Sequence, residues 1–218
     1  MNRVFYIGDS TVQLNRFDTY PQTGMAQVLE LFMAPDVCVL PHGKNGRSTK
    51  SFLDEGLFEP VRQGMEEEDF LFIQFGHNDE KDDSLRHTEP FGSFQDNLRY
   101  FIREARACGA FPVLITPIAR RLFDETGNFL PGSHGEYPKA VRQVGEQEGV
   151  PVADLTALTE AFLAELGDEP SKPLFVWPKD NTHLKYDGAV KMAELLCREL
   201  KKLGSPYADL LYKPEEGL

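Results

Sequence analysis

A serine, an aspartate and a histidine in this chain have the residue types and spacing of a nucleophilic catalytic centre. Asp180 and His183 are three residues apart, so one turn of backbone can place both side chains on the same side. The carboxylate can then accept a hydrogen bond from Nδ1 of the imidazole, which leaves Nε2 to take a proton. Ser10, far upstream, offers the hydroxyl, because a serine is a weak nucleophile until such a base activates it. The three residues predict acyl transfer, provided that the fold brings Ser10 to His183.

Acyl transfer also needs hydrogen-bond donors aimed at the oxyanion that develops during the reaction. Gly46 has no side chain to obstruct an approach and can present its backbone N–H. Asn78 can offer its side-chain amide, and the Ser10 N–H is a third donor. Each of these residues taken singly also fits a tight turn or a polar loop. Their joint occurrence in successive loops favours the catalytic interpretation.

Four further residues in the same loops are candidate substrate contacts: Arg47, His77, Arg120 and Trp177. The loops also carry several cations, namely Lys44, Arg47, Lys50, Arg120, Arg121, Lys179 and Lys185. If several of them face one crevice, they predict a local positive field that favours a substrate with carboxylates. The alternative is that they are solvated surface charges. Trp177 and Phe175 could form an apolar wall for a sugar ring or belong to the core.

The elements that must position these residues are short apolar strands. Nearly continuous apolar runs, typical of strands covered on both faces, occur at 4–7, 37–40, 70–75, 112–116 and 150–154. Helical periodicity lies between them at 25–32, 94–105, 155–166 and 189–203. The first of these helices has Thr19 and Gln22 as an apparent capping box before it.

Strands that alternate with helices predict an α/β fold, a three-layer α/β/α sandwich around a five-stranded parallel sheet. No linker or shift in composition divides the chain, so we expect one domain over residues 1–218. In such sheets the ligand site lies outside the carboxyl ends of the strands. Ser10, Gly46 and Asn78 follow the first three strands in order, which places the predicted site at that edge.

Composition excludes several other classes of function. The formal charge of −12 argues against nucleic-acid partners and against binding to anionic membrane surfaces. No apolar run approaches the roughly 20 residues that span a bilayer. The N-terminus has too few apolar residues for a secretory signal, so we expect a cytoplasmic protein. The oligomeric state stays open.

Metal and redox chemistry also lack a signal in the sequence. Cys38, Cys108 and Cys197 are widely spaced, and no pair has metal-ligand or redox spacing, so buried inert thiols are expected. The five histidines are scattered, and no metal or cofactor is expected. A flavodoxin-like nucleotide-binding module is disfavoured, because the glycine-rich phosphate fingerprint is absent.

The candidate residues lie in four segments that resemble the conserved blocks of the SGNH hydrolases, also called GDSL esterases. These segments are Gly8-Asp9-Ser10-Thr11, Gly46, Gly76-His77-Asn78-Asp79 and Asp180-Asn181-Thr182-His183. The resemblance implies a flavodoxin-like hydrolase fold, with Ser10 as nucleophile, His183 as base and Asp180 as its orienting partner. It also implies an oxyanion hole made by the N–H groups of Ser10 and Gly46 and the amide of Asn78.

Other segments are similar to the rhamnogalacturonan acetylesterase branch of that family. They are Thr11, Tyr20-Pro21-Gln22-Thr23-Gly24, Asn45-Gly46-Arg47-Ser48 and Gln74-Phe75-Gly76-His77-Asn78-Asp79, whereas Met25-Ala26-Gln27 departs from the Trp-Gly-Gln of that branch. The resemblance implies a serine esterase that removes O-acetyl groups from carbohydrate, with small-molecule or oligosaccharide esters from pectin as substrates. Open alternatives are a general GDSL esterase or lipase, a xylan-oligosaccharide acetylesterase and an inactive carbohydrate-binding relative.

Overall fold

A parallel sheet of five strands forms the centre of the computed structural model, which describes residues 2–213. The strands are β1 Asn2–Gly8, β2 Val37–Gly43, β3 Phe70–Gln74, β4 Phe111–Ile115 and β5 Val152–Ala153. Their order across the sheet is β2-β1-β3-β4-β5, and every neighbouring pair is parallel. The predicted five-stranded parallel sheet is therefore confirmed.

Helices connect the strands. They are α1 Thr49–Asp54, α2 Glu59–Gly64, α3 Ser93–Ala107, α4 Tyr137–Glu148, α5 Leu155–Leu166, α6 Asp168–Ser171 and α7 Tyr186–Leu203. Short 3₁₀ helices occur at Phe17–Thr19, Met25–Gln27, Leu29–Phe32, Lys172–Leu174 and Tyr207–Leu210. Within residues 2–213, no helix combines the length and the apolar character needed to cross a membrane.

The two faces of the sheet pack into two separate cores. Val4 and Tyr6 of β1 point into one core, which α5 and α7 cover, together with the 3₁₀ helices near residues 25–32. Phe5 and Ile7 point into the other core, which α1 to α4 cover. Alternate residues of one strand thus serve opposite layers, as expected for a strand buried on both faces. The α/β/α sandwich is confirmed.

The predicted helix over residues 25–32 is wrong. The segment forms two separate 3₁₀ turns, because neighbouring loops take up its hydrogen-bonding groups. The N–H of Met25 donates to the carbonyl of Thr11 at 2.7 Å, and Oε1 of Gln27 accepts from the N–H groups of Asn15 and Gly24. Thr19 caps no α-helix and instead ends the 3₁₀ helix Phe17–Thr19. The apolar residues of the segment still enter the core, which explains the periodicity.

The last strand is shorter than predicted, with only two residues in the ladder. Pro151 has no N–H to donate, although its carbonyl accepts from the N–H of Leu114 at 3.0 Å. Asp154 leaves the sheet and caps α5, with its side chain accepting from the N–H of Ala157.

Of the three free cysteines, only Cys197 is buried, and burial raises the pKa of its thiol to about 12.

The carboxyl ends of the first three strands lie level with one another. Gly8 of β1 pairs with Gly43 of β2 on one side and with Gln74 of β3 on the other. A Cβ atom at position 8 would lie 2.5 Å from the carbonyl oxygen of Gln74, so this approach needs a glycine. The loops that follow these strands therefore leave the sheet at one edge.

Candidate active site

The loop after β1 holds Ser10 in a turn that Asp9 stabilises. Oδ1 of Asp9 accepts hydrogen bonds from the N–H of Thr11 at 2.9 Å and from its hydroxyl at 2.8 Å. The carbonyl of Asp9 also accepts from the N–H groups of Val12 and Gln13. Ser10 itself is 5% exposed at the carboxyl edge of the sheet. The backbone beside the hydroxyl is thus fixed before any substrate binds.

Gln22 joins the Ser10 loop to the Gly46 loop. Its Nε2 donates to the carbonyl of Ser10 at 3.1 Å and to Oδ1 of Asn45 at 3.0 Å. The φ of Gly46 is +76°, a left-handed conformation that favours glycine. Within residues 2–213, no acceptor takes the N–H of Ser10 or of Gly46. Both donors therefore remain free for a negatively charged oxygen.

Asn78 ties the loop after β3 to the loop of Gly46. Its Nδ2 donates to the carbonyl of Arg47 at 3.1 Å, and its Oδ1 accepts from Nη1 of Arg86 at 3.5 Å. The first contact uses one of the two amide hydrogens and leaves the other for a ligand. The side chain is mostly buried, with 7% of the residue exposed. The three predicted oxyanion donors thus lie on loops that contact one another directly.

Asp180 and His183 form the predicted carboxylate–imidazole pair. Oδ2 of Asp180 lies 3.0 Å from Nδ1 of His183. Oδ1 accepts from the N–H groups of Thr182 at 2.9 Å and His183 at 2.7 Å. Burial alone would raise the pKa of Asp180, but these hydrogen bonds outweigh it and hold the pKa below its ordinary value. An anionic Asp180 favours the tautomer with hydrogen on Nδ1, so Nε2 can accept a proton.

A cavity of about 190 Å³ lies beside this pair. Gln22, which holds the carbonyl of Ser10, lines it together with Tyr20, Lys179, Asp180 and His183. No hydrogen bond joins the hydroxyl of Ser10 to His183 within the described chain. The pairing of Ser10 with His183 therefore stays a prediction, and catalytic hydrogen bonds are often long before substrate binds.

The predicted substrate contacts have different environments. The guanidinium of Arg47 donates to Glu55 at 2.8 Å and to the carbonyl of Asn45 at 2.9 Å. Trp177 is 41% exposed, so it does not belong to the core. The guanidinium of Arg121 lies 4.6 Å from the centre of its ring. Contacts of Arg47 and Trp177 with a substrate stay predictions.

Burial disfavours a direct contact of His77 or Arg120 with a substrate. His77 is 2% exposed, and its ring packs edge-on against His134 at 4.3 Å between centres. Burial and the neighbouring positive charges lower the pKa of His77 well below its ordinary value, so the ring is neutral. Neither ring nitrogen has a partner among residues 2–213. The Arg120 side chain is 16% exposed and binds Glu80 and Thr182.

Acidic neighbours neutralise part of the predicted positive field. Four of the seven loop cations form ion pairs, which are Arg47–Glu55, Lys50–Asp54, Arg120–Glu80 and Arg121–Asp168. The other three, Lys44, Lys179 and Lys185, have no ion pair within the part of the chain described here. Only Lys179 among them lines the cavity beside His183. The field at the site is therefore weaker than the sequence predicts.

Two residues outside the predicted set also shape the site. Gln22 lies in the segment 20–24 that resembles the acetylesterase branch, and its two contacts hold the Ser10 loop to the Gly46 loop. Glu80 directly follows the Gly76–Asp79 block, but no sequence signal shows that it binds Arg120. No group of three or more His, Cys, Asp or Glu side chains within residues 2–213 has the arrangement of a metal site.

Comparison with known proteins relates the whole chain to esterases. The model of the GDSL-like lipase/acylhydrolase family matches residues 6–189. The rhamnogalacturonan acetylesterase RhgT of Bacillus subtilis is 38% identical over 225 aligned positions, which cover 98% of this chain and 95% of that protein.

Two solved structures have the same fold. The structure of YxiM from Bacillus subtilis superposes with a TM-score of 0.82 at 25% identity, covering 94% of this chain and 58% of that one. An acetylxylan esterase from Geobacillus stearothermophilus superposes with a TM-score of 0.66 at 18% identity, covering 91% of this chain and 93% of that one. The second likeness supports the fold alone.

Proposed function

The chain belongs to the GDSL-like lipase/acylhydrolase family, and we propose that it removes O-acetyl groups from pectin oligosaccharides through a Ser-His-Asp triad. Its relatives identify it more broadly as a carbohydrate acetylesterase, a type of carboxylic ester hydrolase. The observation that carries the triad is the 3.0 Å contact between Asp180 and Nδ1 of His183, which leaves Nε2 available as a base. Ser10 follows β1 at the carboxyl edge of the sheet.

Each side chain then has one role in a two-step reaction. Nε2 of His183 takes the proton of the Ser10 hydroxyl while Oγ bonds to the acetyl carbonyl carbon. The sugar oxygen leaves with that proton, and an acetyl group remains on Ser10. Water, deprotonated by His183, attacks the acetyl-enzyme and releases acetate and free serine. The N–H groups of Ser10 and Gly46 and the amide of Asn78 stabilise the oxyanion in both steps.

The relation to RhgT supports pectin as the substrate class, because that protein is a rhamnogalacturonan acetylesterase and aligns over nearly the full length. The xylan alternative has the weaker support of an acetylxylan esterase that is similar in fold. A general esterase would accept simple acyl esters as readily as either carbohydrate. A carbohydrate-binding relative without activity would hydrolyse none of them.

The test is mass spectrometry of acetylated pectin and xylan oligosaccharides after incubation with the enzyme. We expect loss of acetyl mass from the pectin oligosaccharides and no loss with Ser10→Ala, which should lower kcat by about a thousandfold or more. Ser84→Ala is the matched control, because Ser84 is exposed. Acetyl loss from xylan alone would transfer the assignment to the xylan class. A Ser10→Ala enzyme that keeps most of its activity would refute the serine mechanism.

A further inference from the structure

Arg120 contacts the two loops that carry the predicted base and the predicted oxyanion amide. Its Nη1 donates to the hydroxyl of Thr182, the residue before His183, at 2.5 Å. Its Nη2 donates to the carbonyl of His77, the residue before Asn78, at 3.3 Å. One rigid guanidinium therefore bridges the neighbours of His183 and Asn78.

Glu80 holds that guanidinium in place. Its Oε1 accepts from Nη2 of Arg120 at 2.5 Å, and its Oε2 lies 3.1 Å from Nδ1 of His134. Nε2 of His134 lies 2.8 Å from the carbonyl of Ile118, so both ring nitrogens face acceptors. Burial alone would raise the pKa of Glu80, but contacts with His134 and Arg120 outweigh it and lower the pKa. The carboxylate is thus anionic, with the Arg120 guanidinium at Oε1 and the His134 ring at Oε2.

The backbone of Arg120 and Arg121 is attached to the loop of Thr182 and to the residue before His134. The N–H of Arg121 donates to the carbonyl of Asn181 at 2.8 Å, next to Thr182. The N–H of Arg120 donates to the hydroxyl of Ser133 at 3.1 Å, one residue before His134. These contacts leave the guanidinium little freedom to swing towards a ligand. With 16% of the side chain exposed, its donors serve the protein itself.

We propose that Arg120, held by Glu80, is a positioning residue that sets the loop of His183 against the loop of Asn78. This proposal rests on the proposed function, since it assigns Arg120 to the reaction of His183 and Asn78. A planar guanidinium can donate to three acceptors in fixed directions, whereas a lysine ammonium is a point charge on a flexible stem. A small shift between the two loops would misplace Nε2 relative to the oxyanion donors, and such shifts can cost on the order of a hundredfold in rate.

The first experiment compares Arg120→Ala, Arg120→Lys and wild type on p-nitrophenyl acetate and on acetylated pectin and xylan oligosaccharides. We expect kcat to fall about tenfold to a hundredfold with Arg120→Ala on every substrate, with KM changed by less than about threefold. Arg120→Lys should recover little, and millimolar guanidinium chloride should partly restore Arg120→Ala but not Ser10→Ala. Arg142→Ala is the control, because it removes an arginine–aspartate pair at the surface.

A second variant keeps the proposal testable if Arg120→Ala fails to fold. Thr182→Val keeps the side-chain shape and removes the hydroxyl that accepts from Arg120. We expect a several-fold lower kcat, and a double variant Arg120→Ala, Thr182→Val that is no slower than Arg120→Ala alone, because both remove the same contact.

Three outcomes would overturn the positioning role. One is wild-type kcat in both Arg120→Ala and Thr182→Val. Another is an increase in KM that is confined to the pectin oligosaccharides and becomes smaller as salt is added. That result would identify Arg120 as a substrate contact. The third is full additivity of the two substitutions. Failure of the proposed function appears separately, as activity retained in Ser10→Ala.

Discussion

At the scale of single residues, Asp180 acts through both of its carboxylate oxygens. Oδ1 accepts from two backbone N–H groups and so folds the loop from Asp180 to His183. Oδ2 accepts from the ring of His183 and so sets its tautomer. The carboxylate that shapes the loop is therefore the one that orients the imidazole. Deleting the side chain would therefore remove the loop hydrogen bonds and the contact with the imidazole together.

Asp180→Asn can separate them. The amide oxygen can keep the two backbone hydrogen bonds, while the amide nitrogen next to Nδ1 favours the tautomer with hydrogen on Nε2. We expect kcat on p-nitrophenyl acetate to fall by on the order of a thousandfold or more, with an unchanged circular dichroism spectrum. The control is Asp209→Asn, an exposed carboxylate that pairs with Lys213. A rate close to wild type would show that His183 is not the base.

The residue-scale contacts that the sequence predicts are local ones. Asp180 and His183 lie three positions apart, so their contact follows from backbone geometry alone. Arg120 has its partners 40 and 62 positions away along the chain, in Glu80 and Thr182. No spacing rule links residues so far apart, and a loop arginine is ordinarily solvated. The sequence alone therefore does not reveal the ion pair of Arg120 with Glu80 that the structure shows.

At the scale of elements, the segment between β1 and β2 carries two exposed aromatic side chains, one of which lines the cavity. Phe17 is 95% exposed and Tyr20 is 80% exposed, and Tyr20 lines the cavity together with His183. The segment is held firmly, since the N–H of Asn15 donates to Gln27 at 3.0 Å and that of Thr23 donates to the carbonyl of Leu184 at 2.8 Å. A rigid loop with an exposed ring suits contact with the apolar face of a sugar.

Tyr20→Ala should therefore affect oligosaccharides and spare small esters. We expect KM for acetylated oligosaccharides to rise about fivefold to tenfold, which corresponds to one aromatic contact. kcat/KM for p-nitrophenyl acetate should stay within about twofold, because that substrate has no sugar ring. Tyr212→Ala serves as the control, since Tyr212 is 57% exposed and its backbone contacts Phe32, away from the cavity. Equal losses on both substrates would assign Tyr20 to loop structure.

The elements themselves are predicted well where burial decides them. All five strands lie within three residues of the apolar runs that predict them, because a strand covered on both faces must be apolar throughout. The helix prediction for residues 25–32 is wrong for the opposite reason, because polar contacts fix the backbone there. One of them is the hydrogen bond from the N–H of Gly24 to the side chain of Gln27. Helix α4 carries Tyr137, Ala140 and Val144 on its buried face, and the sequence prediction contains no helix there.

At the scale of the whole molecule, Asp79 links the starts of α1 and α4 and the segment ahead of α3, beside the candidate active site. Its Oδ1 accepts from the N–H and hydroxyl of Thr49 at the start of α1 and from the hydroxyl of Thr88 ahead of α3. Its carbonyl accepts from the hydroxyl of Tyr137 at the start of α4 at 2.8 Å. Oδ2 has no partner among residues 2–213. Burial raises the pKa of Asp79 to about 7, although the threonine hydrogen bonds oppose that rise.

This raised pKa makes global stability depend on pH with a definite sign. The unfolded chain releases the Asp79 proton near pH 3.8, whereas the native protein keeps it to about pH 7. Between these values the native state binds more protons, so this contribution to the free energy of unfolding falls as pH rises. The contribution of Asp79 to the free energy of unfolding is fully present below about pH 4 and is lost as pH rises through about 7.

Asp79→Asn should remove that dependence, because an amide keeps an oxygen for the threonine donors and does not titrate in this range. We expect the difference in unfolding free energy between wild type and Asp79→Asn to fall from pH 5 to pH 7, by at most about 1.4 kcal/mol per pH unit, and to level off about one pH unit above the native pKa. Urea unfolding followed by circular dichroism measures it. Asp124→Asn is the control, since the exposed Asp124 has a pKa lowered to about 2 by its hydrogen bonds from Asn128 and Thr126 and should give no slope in this window. Parallel curves for wild type and Asp79→Asn would mean that Asp79 is ionised in the native protein from pH 5 upwards.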